Sequence, residues 1–185
     1  MIQKVIAFTG LSGVGKTTFL RHLSEQIPFQ HLTGGSLIAA ARDARPFERD
    51  GMRYADLDEN QRLLIDGFAM ARDPSAPLVI MDGHVVIDTG ARLQELPTDV
   101  FRALGIAKMV HLEAEPSLIS TNRSNDTSRR RPACDQETLS RHQLASRAHA
   151  NSIAVALNAE FHIVTHNDIK YLALELLKSV TTFTP

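Results

Sequence analysis

The chain has 185 residues, 43% of them hydrophobic, with 20 Lys and Arg against 21 Asp and Glu for a net charge of −1. That length favours one substantial core over two domains, and the balanced charge leaves no basic field to hold nucleic acid nonspecifically. No stretch approaches the roughly 18 consecutive apolar residues of a membrane span, and a lone cysteine, Cys134, excludes an internal disulfide and fits a reducing, cytoplasmic setting.

The first expected element is an apolar strand over residues 3–9, read as the start of the fold rather than as a signal peptide. It runs straight into Gly10-Leu11-Ser12-Gly13-Val14-Gly15-Lys16-Thr17. This is the G-x-x-x-x-G-K-[ST] phosphate-binding pattern in its strand–loop–helix setting. Its glycines let the backbone bring N–H groups close to a ligand, and a helix over 16–26 aims its partly positive end at the same point. Lys16 places an ammonium on the β- and γ-phosphates, and Thr17 offers a hydroxyl to Mg²⁺. Ser12, Val14 and Thr18 complete the expected ATP-binding set. The pattern implies binding of a nucleoside triphosphate.

A weak strand follows near 29–32, then helices over 35–44 and 57–72, the second opened by Asp56 with Glu59 three residues on. A strand over 77–82 contains the unbroken apolar run Leu78-Val79-Ile80-Met81, as in strands buried on both faces. A helix over 97–104 stops at Gly105, a strand fills 106–112, and Pro116 opens a helix over 116–124. The long helix 136–157 starts from Asp135 as N-cap, a strand occupies 160–165, and Asn167 caps a helix over 168–180. Alternating elements of this kind predict an α/β fold: a three-layer α/β/α sandwich on a five-stranded parallel sheet.

Two stretches break the alternation, residues 33–72 and the polar, Arg-rich segment 122–135, and both have the size of substrate-covering lids. Asp82 stands at the carboxyl end of a buried strand, where a carboxylate holds the metal's hydration shell beside Thr17, and His84 follows as a candidate for orienting substrate. Arg123, Arg129, Arg130 and Arg131 lie in the second stretch, while Arg141 and Arg147 lie on different faces of the long helix. Planar guanidinium groups grip phosphate oxygens bidentately, and two or three of these six are expected to do so. Arg147, among Ala145, Ser146 and Ala148, is placed to reach inward.

Beyond the phosphate loop come Arg49-Asp50-Gly51-Met52-Arg53, Gln61-Arg62, Asp82-Gly83-His84, Leu96-Pro97, Asn125-Asp126 with Arg129, and His142-Gln143 with Arg147. This ordered set resembles the nucleoside monophosphate kinases, and more closely the archaeal-type adenylate kinases, over almost the whole chain. The resemblance implies a single P-loop NTPase domain over 1–185 that moves the γ-phosphoryl of ATP, with Mg²⁺, onto a nucleoside monophosphate. Residues 33–72 become the acceptor-binding insertion, with Thr33, Arg53 and His84 at the acceptor and Arg42 adding charge at its phosphate. Lys16, Arg129, Arg130 and Arg147 become the catalytic cations, the latter three bridging the phosphates, and His166 lies against the donor base. Archaeal-type relatives form homo-oligomers, which makes self-association an expectation as well.

Where ordinary adenylate kinases carry arginines, this chain has Val86-Ile87-Asp88 and Ile38, so another nucleotide or a small phosphorylated or hydroxylated acceptor also fits. Two further readings stay open: a nucleotide-gated ATPase or regulatory protein, and a P-loop kinase of a small anionic metabolite. The latter needs a base, for which Asp82, Asp88 or His84 are candidates. Arg42, Arg45, Arg49 and Arg53 favour an anionic acceptor of either kind, and Cys134 is read as incidental.

Overall fold

The apolar runs of the sequence become the middle of one parallel sheet in a computed structural model, which describes residues 3–42, 57–90, 92–126 and 134–181. β1 (Lys4–Thr9) lies between β3 (Leu78–Asp82) and β6 (Ile106–Leu112), with β2 (Gln30–Thr33) and β7 (Glu160–Val164) at the edges. Val5 to Phe8, Leu78 to Met81, and Met109, Val110 and Leu112 are all buried. Helices on both faces leave the inner strands no solvent side, so their sequences do not alternate.

α1 (Lys16–Ser24) packs against α7 (Ile169–Thr181), while α4 (Thr98–Ala103), α5 (Pro116–Asn125) and α6 (Gln136–Leu157) form a second group beside β6. Local signals set many of these ends. Pro116 is the first residue of α5, Gly105 turns into β6 at φ +68°, and the Asp135 carboxylate accepts the Thr138 N–H at 2.7 Å to cap α6. α7 begins at Ile169, and its entry turn is closed by Asp168, whose carboxylate accepts from Thr165 N and Oγ1 at 2.7 Å each, rather than by Asn167.

Between β2 and β3 lie α2 (Gly34–Ala41) and α3 (Leu57–Ala71), the described part of the 33–72 insertion. The Thr33 hydroxyl caps α2 by accepting from Ser36 N at 3.2 Å. α2 and α3 approach so closely that a Cβ at Gly67 would collide with the Leu37 carbonyl. Asp56, expected to open α3, falls outside the described residues.

One element is absent from the sequence reading. β4 (Val86–Asp88) and β5 (Leu93–Glu95) make a separate antiparallel hairpin, extended by Leu96 N donating to Val85 O at 2.8 Å. Strands of three residues are too short to display a period of two. The parallel register pairs Thr33 with Asp82, Asp82 with Phe8, and Thr9 with His111. The polar ends of four strands therefore gather along one edge of the sheet, where open α/β folds bind their ligands. No helix among the described residues is long and apolar enough to cross a membrane.

Candidate active site

The phosphate loop leaves β1 at this edge. Gly15 has φ +98°, and a Cβ there would stand 2.7 Å from His166 Cε1, so only glycine fits both the backbone and the space. Side chains from three distant segments hold the loop by its carbonyls. Asn122 Nδ2 donates to Gly13 O at 2.9 Å and Arg123 Nε to Ser12 O at 2.8 Å, both from the end of α5. His166 Nε2 donates to Val14 O at 2.8 Å, and His84 Nδ1 lies 2.8 Å from Gly10 O. The shape of the loop is thus tied to the rest of the fold, and fixed donors of this kind are what electrostatic stabilisation of a phosphate requires.

Lys16, only 9% exposed, donates to Gly10 O at 3.2 Å and stands 3.9 Å from Asp82 Oδ1. Its Nζ is also 3.3 Å from His84 Nδ1. That nitrogen either donates to Gly10 O or accepts from Lys16, and cannot do both, so the contact follows the histidine tautomer. On the other side of the carboxylate, His31 Nε2 is 3.6 Å from Asp82 Oδ2. Burial pushes the Asp82 carboxyl up, but the adjacent His31 imidazole and the nearby Lys16 charge outweigh it, and the group is held below the ordinary carboxylate range. Asp82 is therefore an anion facing the loop.

His111 lies fully buried beneath the loop. Thr9 Oγ1 donates its one hydrogen to Val110 O at 3.1 Å, so the 2.9 Å contact with His111 Nδ1 makes that nitrogen the donor. Nε2 is then a bare acceptor, and it has no hydrogen-bond partner among the described residues. Burial, reinforced by the charges of Lys16 and Arg147, pushes this histidine down to about 4. Arg147 Nη1 meets Glu113 Oε2 at 3.4 Å just beyond β6. Burial pushes the Glu113 carboxyl up, and Arg147 only partly offsets it.

Lys16, Thr17, Asp82 and His84 share one cavity of about 700 Å³ with Ser12, Gly13, Gly15, Thr18 and Thr33. Apolar side chains also line it: Ile38 and Leu64 from α2 and α3, Met81 and Ile87, then Leu96, Val100, Phe101 and Leu104 around α4. Polar and charged groups thus meet hydrophobic ones in a space typical of small-molecule sites.

A family model described as an AAA domain matches residues 9–140. The adenylate kinase of Thermoplasma acidophilum is 30% identical over 163 residues, covering 88% of this chain and 89% of that protein. The adenylate kinase of Pyrococcus abyssi is 30% identical over 177 residues, covering 91% and 89%. The chain belongs to the archaeal adenylate kinase family. It is accordingly a P-loop phosphotransferase. In overall fold it is also similar to the shikimate kinase of Acinetobacter baumannii, with a TM-score of 0.60 at 18% identity, covering 96% of this chain and 93% of that one.

Against the expectations drawn from that family, the structure brings the loop residues, Asp82, Thr33 and His84 to one cavity. Val14 is buried, Gly10 offers its carbonyl, and His166 sits behind the loop. Arg42 is turned away, with Nη2 3.1 Å from Asn60 Oδ1 and 3.5 Å from Glu59 Oε2, and does not line the cavity. Arg147 is engaged by Glu113. Arg53, Arg129 and Arg130 lie outside the described residues, as do Arg45, Arg49, Arg131 and most of the 122–135 segment.

Sequence reasoning missed His31, His111 and the role of Asn122, and counted Arg123 only as one of six arginines of which two or three are expected at phosphate, whereas it holds the loop backbone. No local pattern announces these contacts, which depend on how α5 and β2 sit against the loop and β3. Gln143 of the His142-Gln143 motif brackets Ala114, donating to its O at 3.1 Å and accepting from its N at 3.2 Å.

Proposed function

We propose that this chain is a nucleoside monophosphate kinase, moving the γ-phosphoryl group of ATP onto the phosphate of a nucleoside monophosphate. The observation that carries the reading is the group of apolar side chains that lines the same cavity as the phosphate loop. Ile38, Leu64, Met81, Val100 and Phe101 suit the faces of a planar base. A polyhydroxylated acid placed there would leave hydroxyls unpaired, and a buried polar group without a partner costs about 1–3 kcal/mol. The acidity of Asp82 points the same way. A hydroxyl acceptor needs a general base, and a carboxylate held below its ordinary range is a poor one. A phosphate acceptor is already anionic and needs none.

In this reading Lys16 holds the donor's β- and γ-phosphates, and the loop N–H groups cradle them. The Thr17 hydroxyl and the ionised Asp82 carboxylate line the same cavity and are a hard-oxygen set suited to Mg²⁺, which supplies charge neutralisation on the phosphates when bound. Thr33 and His84, which line the same cavity, serve the acceptor in this reading. Residues 33–72 serve as the acceptor-binding part and 122–135 as the lid, and the family motifs assign Arg53, Arg129, Arg130 and Arg147 to the phosphates.

A coupled assay of ADP release with ATP and Mg²⁺ tests the proposal across a panel of nucleoside monophosphates and small hydroxy acids. Stimulation by at least one monophosphate, and by no hydroxy acid, is the expected result. Release that no nucleotide stimulates would overturn it.

A further inference from the structure

Outside the cavity, the hairpin β4–β5 brings a second group of side chains together. Asp88 ends β4, Cys134 sits just before α6, and His142 lies on the second turn of that helix. One ligand atom from each falls within 4.8 Å of the others. Asp88 Oδ2 is 3.6 Å from His142 Nδ1 and 3.7 Å from Cys134 Sγ. The histidine contact is too long for a good hydrogen bond, and Nδ1 is buried with no hydrogen-bond partner among the described residues. The spacing does match another arrangement. Two ligands of a tetrahedral zinc ion, at ~2.0–2.3 Å from the metal, stand roughly 3.3–3.6 Å apart.

We propose that Asp88, Cys134 and His142 form a site for a soft divalent cation of the zinc class, coupled to the phosphate loop through Arg123. A thiolate, an imidazole and a carboxylate from separate segments select zinc-like ions over Mg²⁺, whose preferred ligands are oxygens. The coupling follows from one oxygen. Arg123 Nη1 is 4.0 Å from Asp88 Oδ2, while Nε of the same side chain holds Ser12 O at 2.8 Å. A cation on Asp88 Oδ2 competes with the guanidinium for that carboxylate and adds positive charge beside it. Arg123 then shifts against Gly13, where its Cγ already fills the space a Cβ would need. Occupancy of the cluster thereby changes the grip on the loop that binds the donor.

The test uses the full-length chain, with Co²⁺ as optical probe and Zn²⁺ in competition with a chromophoric chelator. A single equivalent of Co²⁺ should give a near-ultraviolet thiolate-to-cobalt band that Cys134→Ser abolishes. His142→Gln and Asp88→Asn should each weaken Zn²⁺ by at least about 100-fold, the upper end of what losing an outer-shell partner costs. His162→Gln, on the edge strand β7, should change neither reading. No band in the wild-type chain, a band that survives Cys134→Ser, or equal loss in His162→Gln overturns the site. The first of these outcomes depends on no variant folding. For the coupling, ATP affinity in excess Mg²⁺ is measured with and without one equivalent of Zn²⁺. A several-fold shift confined to the wild type is expected, and the same shift in Cys134→Ser, or none in either chain, overturns it.

Discussion

The two sides of the cavity are built on opposite plans. On the phosphate-loop side, backbone carbonyls of Gly10, Ser12, Gly13 and Val14 are met by side chains from three separate segments of the fold. On the side proposed for the acceptor, Ile38, Leu64, Val100, Phe101 and Leu104 offer shape, with Thr33 lining the same cavity. A triphosphate is recognised by charge and fixed N–H groups, so its site must be rigid. A flat apolar wall tolerates a choice among similar ligands, since one methylene more or less is worth only about 1–3 kcal/mol. Evolution of a new acceptor in such a fold would therefore act on the wall and leave the loop alone.

The largest expected effect lies on the donor side. Lys16→Ala should lower turnover by about 10³-fold, the scale for removing one preorganised cation or donor from the transferring group. Steady-state kinetics measure this, and far-ultraviolet circular dichroism should show that the fold is retained. Near-normal turnover would break the assignment of the donor half.

Next in size is the response of the loop's foundation to acid. His111 is held down to about 4 against an ordinary value of 6.5, so between these pH values the unfolded chain takes up a proton that the folded chain refuses. Its stabilisation is complete above about 6.5 and is lost as pH falls through that value towards 4, by about 3 kcal/mol in all. His111→Leu should flatten that part of the stability–pH curve, measured by urea unfolding at several pH values. An unchanged slope would show that another group carries it.

Gly15→Ala sharpens the claim that the loop is clamped from outside. Positive φ and the contact with His166 should together cost about 1–3 kcal/mol. His166→Ala in the same background should recover part of this and never all, because the backbone strain remains. Full recovery in thermal melts would make the cost purely steric. The smallest effect belongs to the wall: Ile38→Ala should raise the acceptor KM by about 3- to 10-fold, equivalent to ~1 kcal/mol of lost burial, and leave the ATP KM unchanged. A parallel rise in both would mean that the two halves are not separable.

These contrasts also explain what could be read from the amino acids alone. The phosphate loop was legible because its chemistry is local: glycines, lysine and threonine act at fixed spacing along one turn. The inner strands were legible as apolar runs. β6 is less transparent, since Ile106-Ala107-Lys108-Met109-Val110-His111-Leu112 buries a lysine and a histidine. Lys108 reaches Glu160 at 2.9 Å and Ser179 at 3.2 Å, partners more than 50 residues away that no local pattern announces. His31 became a neighbour of Asp82 only through the register of β2 on β3. Arg123 looked like one more lid arginine, and its hold on Ser12 O depends on where α5 ends relative to β1. The β4–β5 hairpin was missed because each strand is three residues long.

The most direct test of the account follows the phosphoryl group itself. In a single turnover, ATP labelled in the γ-phosphate is mixed with enzyme, Mg²⁺ and the monophosphate that best stimulates ADP release, and the products are separated. The account predicts that the label appears in the β-phosphate of a nucleoside diphosphate, and that Lys16→Ala abolishes its appearance. Label found only in inorganic phosphate, or on a metabolite hydroxyl, would contradict it.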